Sequence, residues 1–148
     1  MTRTLVFGLG SARGDDQMGW MIVERLAAAD LPADVTIRRG VSPSELLDVL
    51  NGFNRLILCD ACESRSAPGT ISRWHWPDVP FASLRAAGSH DLGLGDVLKL
   101  AEQLCVLPAE VIVYAAEIES AAPTACMSAT ARAAVDQLVA EITGVLQR

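Results

Sequence analysis

Apolar residues along the chain form short runs that alternate with longer segments in which they recur every three or four positions. The strand-like runs lie at 4–7, 35–38, 56–59, 70–74 and 111–115. Helical spacing follows in four segments, which begin near residues 16, 43, 94 and 128. Such alternation is typical of a parallel sheet with helices on both faces. We therefore predict a single α/β domain over residues 1–148, with three layers and a twisted, mostly parallel sheet of about five strands.

Local signals indicate where several of these elements begin and end. Asp15 and Asp16 stand at the predicted start of the first helix, where carboxylates interact favourably with the helix dipole. The segment Ser42–Glu45 has the pattern of a capping box with proline in the first helical position. The apolar run Leu56–Cys59 ends in Asp60. A continuous apolar run predicts a strand that is buried on both faces, whereas the run at 70–74 is followed by prolines and predicts an edge strand.

Composition and charge narrow the class of protein. Apolar residues make up 51% of the chain, which argues against extended disorder. Twelve basic and eighteen acidic residues give a net charge of −6, so binding to a nucleic-acid backbone is not expected. No apolar run reaches the roughly 20 residues that a membrane-spanning helix needs, and the run Leu5–Phe7 is too short for a signal peptide. We expect a cytoplasmic protein that binds neither nucleic acid nor membrane.

The four cysteines do not indicate a metal or redox centre. They are Cys59, Cys62, Cys105 and Cys126, and in the cytoplasm they should be reduced. Cys59 and Cys62 form a C-x-x-C, but a structural zinc site would need further ligands at suitable spacing. Strand alternation sends Cys59 and Asp60 to opposite faces of the sheet. Both cysteines of the pair are therefore expected to be dispensable for catalysis.

Polar residues cluster where the predicted strands end. Asp16 follows the first strand, Asp60 ends a central strand, and Glu117 and Glu119 follow the last one. His90 opens the helix before that last strand. Sites in open α/β sheets lie beyond the carboxyl ends of the strands, and two carboxylates with one imidazole suit a borderline divalent ion such as zinc, nickel, iron or manganese. Asp16, Asp60 and His90 are therefore candidates for a site that suits such an ion, and Glu117 and Glu119 are candidates for a general base or for contacts with the substrate.

Other interpretations of these acids stay open. The glycine-rich segment Gly8–Gly14 misses the dinucleotide-binding spacing by one residue, and the aspartates after it would repel a phosphate. Nucleotide binding is thus the weakest alternative. Asp15 is expected to act as a helix cap. Asp60 could equally be a solvated strand end that caps a turn with Ser64.

Taken in order, five segments resemble the hydrogenase maturation endopeptidases. They are Gly8–Ser11, Asp15–Asp16 with Gly19, Leu58–Ala61, His90–Leu94 and Val113–Glu117. Ser11 stands where members of this family usually have asparagine. The resemblance covers nearly the whole chain, and its strength lies in the order of the segments rather than in any single one.

The resemblance implies an activity and a site. Members remove the C-terminal extension of a nickel-iron hydrogenase large subunit after nickel has been inserted. The metal contacts of the family fall on Asp16, Asp60 and His90 of this chain. The nickel would be supplied by the precursor subunit, which is the expected partner of a monomeric enzyme. The alternative is a scaffold or chaperone of the same fold that binds the immature subunit without cutting it.

Overall fold

The computed structural model describes residues 2–63, 66–80, 93–119 and 126–148. Its five strands are β1 (Thr4–Leu9), β2 (Val35–Gly40), β3 (Arg55–Cys62), β4 (Ile71–His75) and β5 (Glu110–Glu117). Its three α-helices are α1 (Met18–Ala27), α2 (Leu94–Gln103) and α3 (Ala129–Leu146). Two 3-10 helices are also present, at Gly14–Gln17 and Pro43–Asp48.

The strands form one sheet in the order β2-β1-β3-β5-β4. Neighbouring strands are parallel except for β4, which runs antiparallel to β5 at the edge. Helices α1 and α3 pack against each other and against one face of the sheet, while α2 and the 3-10 helix Pro43–Asp48 cover the other. The predicted three-layer fold and its edge strand are thereby confirmed. Within the part of the chain that the structure describes, none of the helices has both the length and the apolar character needed to span a bilayer.

The sheet separates two hydrophobic cores, and the central strand β3 contributes side chains to both. Ile57 and Cys59 face the core beneath α1 and α3, and Leu56 and Leu58 face the core beneath α2. Burial raises the pKa of the Cys59 thiol well above its usual range, and the negative charge of Asp60 raises it further. Cys59 therefore stays protonated at neutral pH and packs as a small apolar side chain.

Two predicted boundaries and one predicted helix type were wrong. Asp60 does not end its strand, because β3 continues to Cys62 along the partner strand β5. The first helix does not begin at Asp16, which lies in the 3-10 helix Gly14–Gln17. The capping box at Ser42 is present, but the helix it opens is also a 3-10 helix. Both 3-10 segments are short and pack against neighbouring elements, Gly14–Gln17 against β3 and Pro43–Asp48 against α2.

Tyr114 on β5 offers a first test of packing. The residue is fully buried, and within the described residues its hydroxyl oxygen has no hydrogen-bond partner. Burial raises the pKa of Tyr114, so the hydroxyl stays protonated. Because an unsatisfied buried hydroxyl costs about 1–3 kcal/mol, Tyr114→Phe should raise the free energy of unfolding by about 1 kcal/mol. Urea denaturation measures the change, and a loss of stability would show that the hydroxyl has a stabilising partner.

Candidate active site

The acidic residues singled out from the sequence lie along the carboxyl ends of three neighbouring strands. Asp60 is on β3, the middle strand of the three. Asp16 lies in the 3-10 helix that follows β1, and this helix contacts β3. Glu117 is the last residue of β5 rather than part of the loop beyond it. Carboxylates from three separate stretches of sequence thus meet one edge of the sheet, where open α/β folds form their sites.

Glycines allow the first turn of α1 to approach this edge closely. A Cβ atom on Gly19 would lie 2.1 Å from the carbonyl oxygen of Leu9 and 2.8 Å from that of Cys59. A Cβ atom on Gly8 would lie 2.3 Å from the carbonyl oxygen of Gly19. Any larger residue at position 19 would push α1 away from the ends of β1 and β3. The two glycines therefore decide how near Asp16, which lies two residues before α1, comes to β3.

The Asp16 carboxylate is oriented by a residue that sequence reasoning did not assign to the site. The Ser11 hydroxyl donates to Asp16 Oδ2 at 2.6 Å, and the Ser11 backbone N–H donates to the Asp16 carbonyl at 3.1 Å. Ser11 thus closes the loop between β1 and the 3-10 helix. The signal was present in the sequence, since Ser11 occupies the position where the resembling family usually carries another hydrogen-bonding side chain.

The prediction that Asp15 caps the following helix was wrong. Its side chain is buried and accepts hydrogen bonds from the backbone N–H of Glu119 at 3.2 Å and of Ser128 at 2.8 Å. The Ser128 hydroxyl donates a third bond at 2.9 Å and itself accepts from Ala131 N–H at the start of α3. A buried carboxylate needs several donors, and the chain after β5 supplies them. Asp15 therefore links the first loop to the connection between β5 and α3.

Asp60, Cys62 and Glu117 share the face of the sheet that α2 covers. Cys62 and Glu117 are paired in register across β3 and β5, and the Cys62 thiol donates to Glu117 Oε2 at 3.1 Å. Asp60 Oδ1 accepts from the backbone N–H of Ala61 at 2.8 Å. Asp60 is 6% exposed and Glu117 is 4% exposed, so both carboxylates sit in surroundings where their interactions with a cation are only weakly screened. Glu119, by contrast, is exposed.

The third predicted metal contact, His90, lies outside the described residues, as does Ser64. Convergence of Asp16, Asp60 and His90 on one ion therefore stays a prediction. Among the residues that the structure does describe, no three His, Cys, Asp or Glu side chains are grouped so that they could hold a metal ion. The described carboxylates would need a ligand from elsewhere, such as an imidazole or a group on a partner, to complete a coordination shell.

The bond between Cys62 and Glu117 leads to a second test. Cys62→Ala removes a donor from a buried carboxylate and should lower the free energy of unfolding by about 1–3 kcal/mol. Cys62→Ser keeps a donor and should lose less stability than the alanine variant. Cys59→Ala is the control, since that residue only packs in the opposite core. Thermal melting of the three variants checks the order, and equal losses in Cys62→Ala and Cys62→Ser would show that the bond contributes nothing.

Comparisons of the sequence and of the structure with known proteins all lead to hydrogenase maturation proteases. The family model described as hydrogenase maturation protease matches residues 21–145. Hydrogenase 2 maturation protease of Escherichia coli is 28% identical over 149 aligned residues, which cover 98% of this chain and 91% of that protein. The structure of the hydrogenase maturating endopeptidase HybD from Escherichia coli matches with a TM-score of 0.87 and 30% identity, covering 99% of this chain and 93% of that one. The protease HycI from Thermococcus kodakarensis, at 23% identity and a TM-score of 0.80 over 99% and 94% of the two chains, shares the fold.

Proposed function

The chain belongs to the hydrogenase maturation protease family, and on that premise we propose that it cuts the C-terminal extension from a nickel-iron hydrogenase large-subunit precursor after nickel insertion. The observation that carries the proposal is the gathering of Asp16, Asp60 and Glu117 at the carboxyl edge of β1, β3 and β5. These acids come from distant parts of the sequence, and two of them are buried at the edge where a substrate would bind. Asp16, Asp60 and Glu117 also belong to segments in which the chain resembles this family.

The nickel is part of the substrate in this proposal. Asp16 and Asp60 supply carboxylate oxygens to the ion that the precursor presents, and His90 supplies an imidazole nitrogen. A divalent ion held in this way can polarise the scissile carbonyl or lower the pKa of an attacking water. Ser11 holds the Asp16 carboxylate in place through its 2.6 Å hydrogen bond. A precursor without nickel would lack the group that these side chains recognise, so cleavage would wait for metal insertion.

We place this reaction in the cytoplasm. All four cysteines are thiols rather than disulfides, which suits a reducing compartment. Two of them, Cys59 and Cys62, are buried and lie close in sequence, yet they are not bonded to each other.

The decisive experiment mixes the purified protein with a large-subunit precursor, with and without nickel, and measures the mass of the precursor. The proposal expects loss of a C-terminal peptide from the nickel-loaded precursor alone. Binding of the loaded precursor without any mass change would instead support the scaffold alternative. Cleavage of both forms at the same rate would overturn the role given to nickel.

A further inference from the structure

Trp20 and Arg39 form a fixed pair of side chains beside the proposed active site. The indole N–H of Trp20 donates to the carbonyl oxygen of Gly40 at 3.0 Å, at the end of β2. The guanidinium carbon of Arg39 lies 4.4 Å from the centre of the Trp20 ring. Stacking of a cation on an indole is favourable, and the hydrogen bond sets the plane of the ring. The pair is thus organised before any partner arrives.

The pair borders the loop that carries Asp16. Gly10 connects them, because its N–H donates to the Gly40 carbonyl at 3.2 Å. A Cβ atom on Gly10 would lie 2.4 Å from the carbonyl oxygen of Asp16 and 3.5 Å from Cδ1 of Trp20. Trp20 therefore packs along the same turn of backbone that holds the Asp16 carboxylate in place.

An exposed apolar side chain and an exposed cation lie next to Trp20. Val41, which follows Gly40, is 55% exposed, and Leu104 is the other large hydrophobic residue of comparable exposure within the described ranges. The side chain of Arg39 is 52% exposed and pairs with Glu24, itself 58% exposed, at 3.0 Å. An ion pair this exposed contributes little to stability, so Arg39 can exchange Glu24 for another carboxylate at low cost.

We infer that Trp20, Arg39 and Val41 form a docking surface for the precursor subunit, which places an apolar side chain on Val41 and Trp20 and a carboxylate on Arg39. The inference rests on the proposed function, because a protein substrate whose metal reaches Asp16 must cover the surface around it. A stable interface buries about 800 Å² on each partner, a disc of about 16 Å radius. Trp20 touches the Asp16 loop and so falls inside that area.

The charge of the chain explains why Arg39 matters for this partner. The net charge is −6, and the carboxylates of Asp16, Asp60 and Glu117 line the neighbouring edge. Acidic groups of a docking subunit would be repelled there, whereas Arg39 offers a cation at the border. Tryptophan and arginine are among the residue types enriched at the positions that dominate interface energies, and here Arg39 stacks on Trp20.

Two exposed substitutions test the docking surface, each with a matched control. Val41→Asp and Arg39→Glu should each raise the KM for the nickel-loaded precursor, and the Kd measured by biolayer interferometry, by about tenfold, the effect of a single hot-spot residue. The kcat at saturating precursor should stay near that of the wild type. Leu104→Asp is the control for Val41→Asp. It places the same charge on an exposed residue at the end of α2, which precedes the amino end of β5 and so lies away from the proposed site. Arg25→Glu is the control for Arg39→Glu, because it reverses the charge of an exposed arginine on α1 and breaks its ion pair with Asp136. Both controls should bind within about twofold of the wild type.

The outcomes separate the docking surface from the proposed reaction. If Val41→Asp and Arg39→Glu bind the precursor as tightly as their controls, the docking surface is wrong even when the wild type cleaves normally. If the wild type binds the precursor without cutting it, the proposed reaction is wrong, and the Kd values of the four variants still decide whether the surface docks the subunit. A fall in kcat without a change in KM or Kd would also overturn the docking role. Trp20 is left intact because it is half-buried, and its loss would mix docking with folding.

Discussion

Asp60→Asn is expected to abolish processing of the nickel-loaded precursor while the protein stays folded. The substitution keeps the size of the side chain and an oxygen that can accept the 2.8 Å bond from Ala61 N–H. It removes the negative charge and thus a carboxylate ligand for the metal of the substrate. Changes to residues that merely support metal ligands already cost up to about 100-fold, so loss of a direct ligand should lower the processing rate by more than about 100-fold.

Two measurements make this test decisive. The precursor is assayed by its change in mass, and the variant by its thermal melting. Asp48→Asn removes the same charge from an exposed residue of the 3-10 helix Pro43–Asp48 and should process the precursor normally. If Asp60 had only a structural role, asparagine would replace it with little effect, because its side-chain oxygen can accept the same bond from Ala61 N–H. Normal processing by a stable Asp60→Asn protein would therefore refute the metal-contacting role.

The fold could be predicted from the sequence because its strands and helices differ in apolar period. The run Leu56–Cys59 is buried on both faces of the sheet, and such runs lack the alternation of an exposed strand. Strand alternation also predicts that Cys59 and Asp60 face opposite sides of the sheet. Cys59 packs in the core beneath α1 and α3, whereas Leu58 and Cys62, on the side of Asp60, pack in the other core. The 3-10 helices could not be predicted, because six residues such as Pro43–Asp48 are too few for apolar spacing to distinguish the two helix types.

The candidate site could be predicted only in part. Asp16 and Asp60 were identifiable as candidates because one follows the first strand and the other follows an apolar run, and the metal they would share with His90 stays a prediction. The contacts that organise the edge were not recognisable, because they join residues far apart in the chain. Asp15 binds Ser128, 113 residues away, and Cys62 binds Glu117, 55 residues away. Each partner becomes identifiable only after strand order and register are known.

Gly19→Ala should be the most destabilising single change at the proposed site. Alanine normally favours a helix over glycine by about 1 kcal/mol, so helix propensity alone predicts a gain. Here the added methyl group would stand 2.1 Å from the Leu9 carbonyl oxygen and 2.8 Å from that of Cys59. Both atoms belong to the backbone of the sheet and cannot turn aside as a flexible side chain would. Overpacking should outweigh propensity and lower the free energy of unfolding by about 3 kcal/mol or more.

Gly144→Ala is the control that shows whether the loss of stability in Gly19→Ala comes from the close contact between α1 and the strand ends. Gly144 lies within α3, and a Cβ atom there would have nothing within 4 Å. Gly144→Ala should therefore stabilise the protein by up to about 1 kcal/mol. We expect the urea midpoint to fall for Gly19→Ala and to rise for Gly144→Ala. The folded fraction of Gly19→Ala should also process the precursor more slowly, because displacement of α1 moves the Asp16 loop away from β3. A Gly19→Ala protein as stable and active as the wild type would show that contact between α1 and the strand ends does not position Asp16.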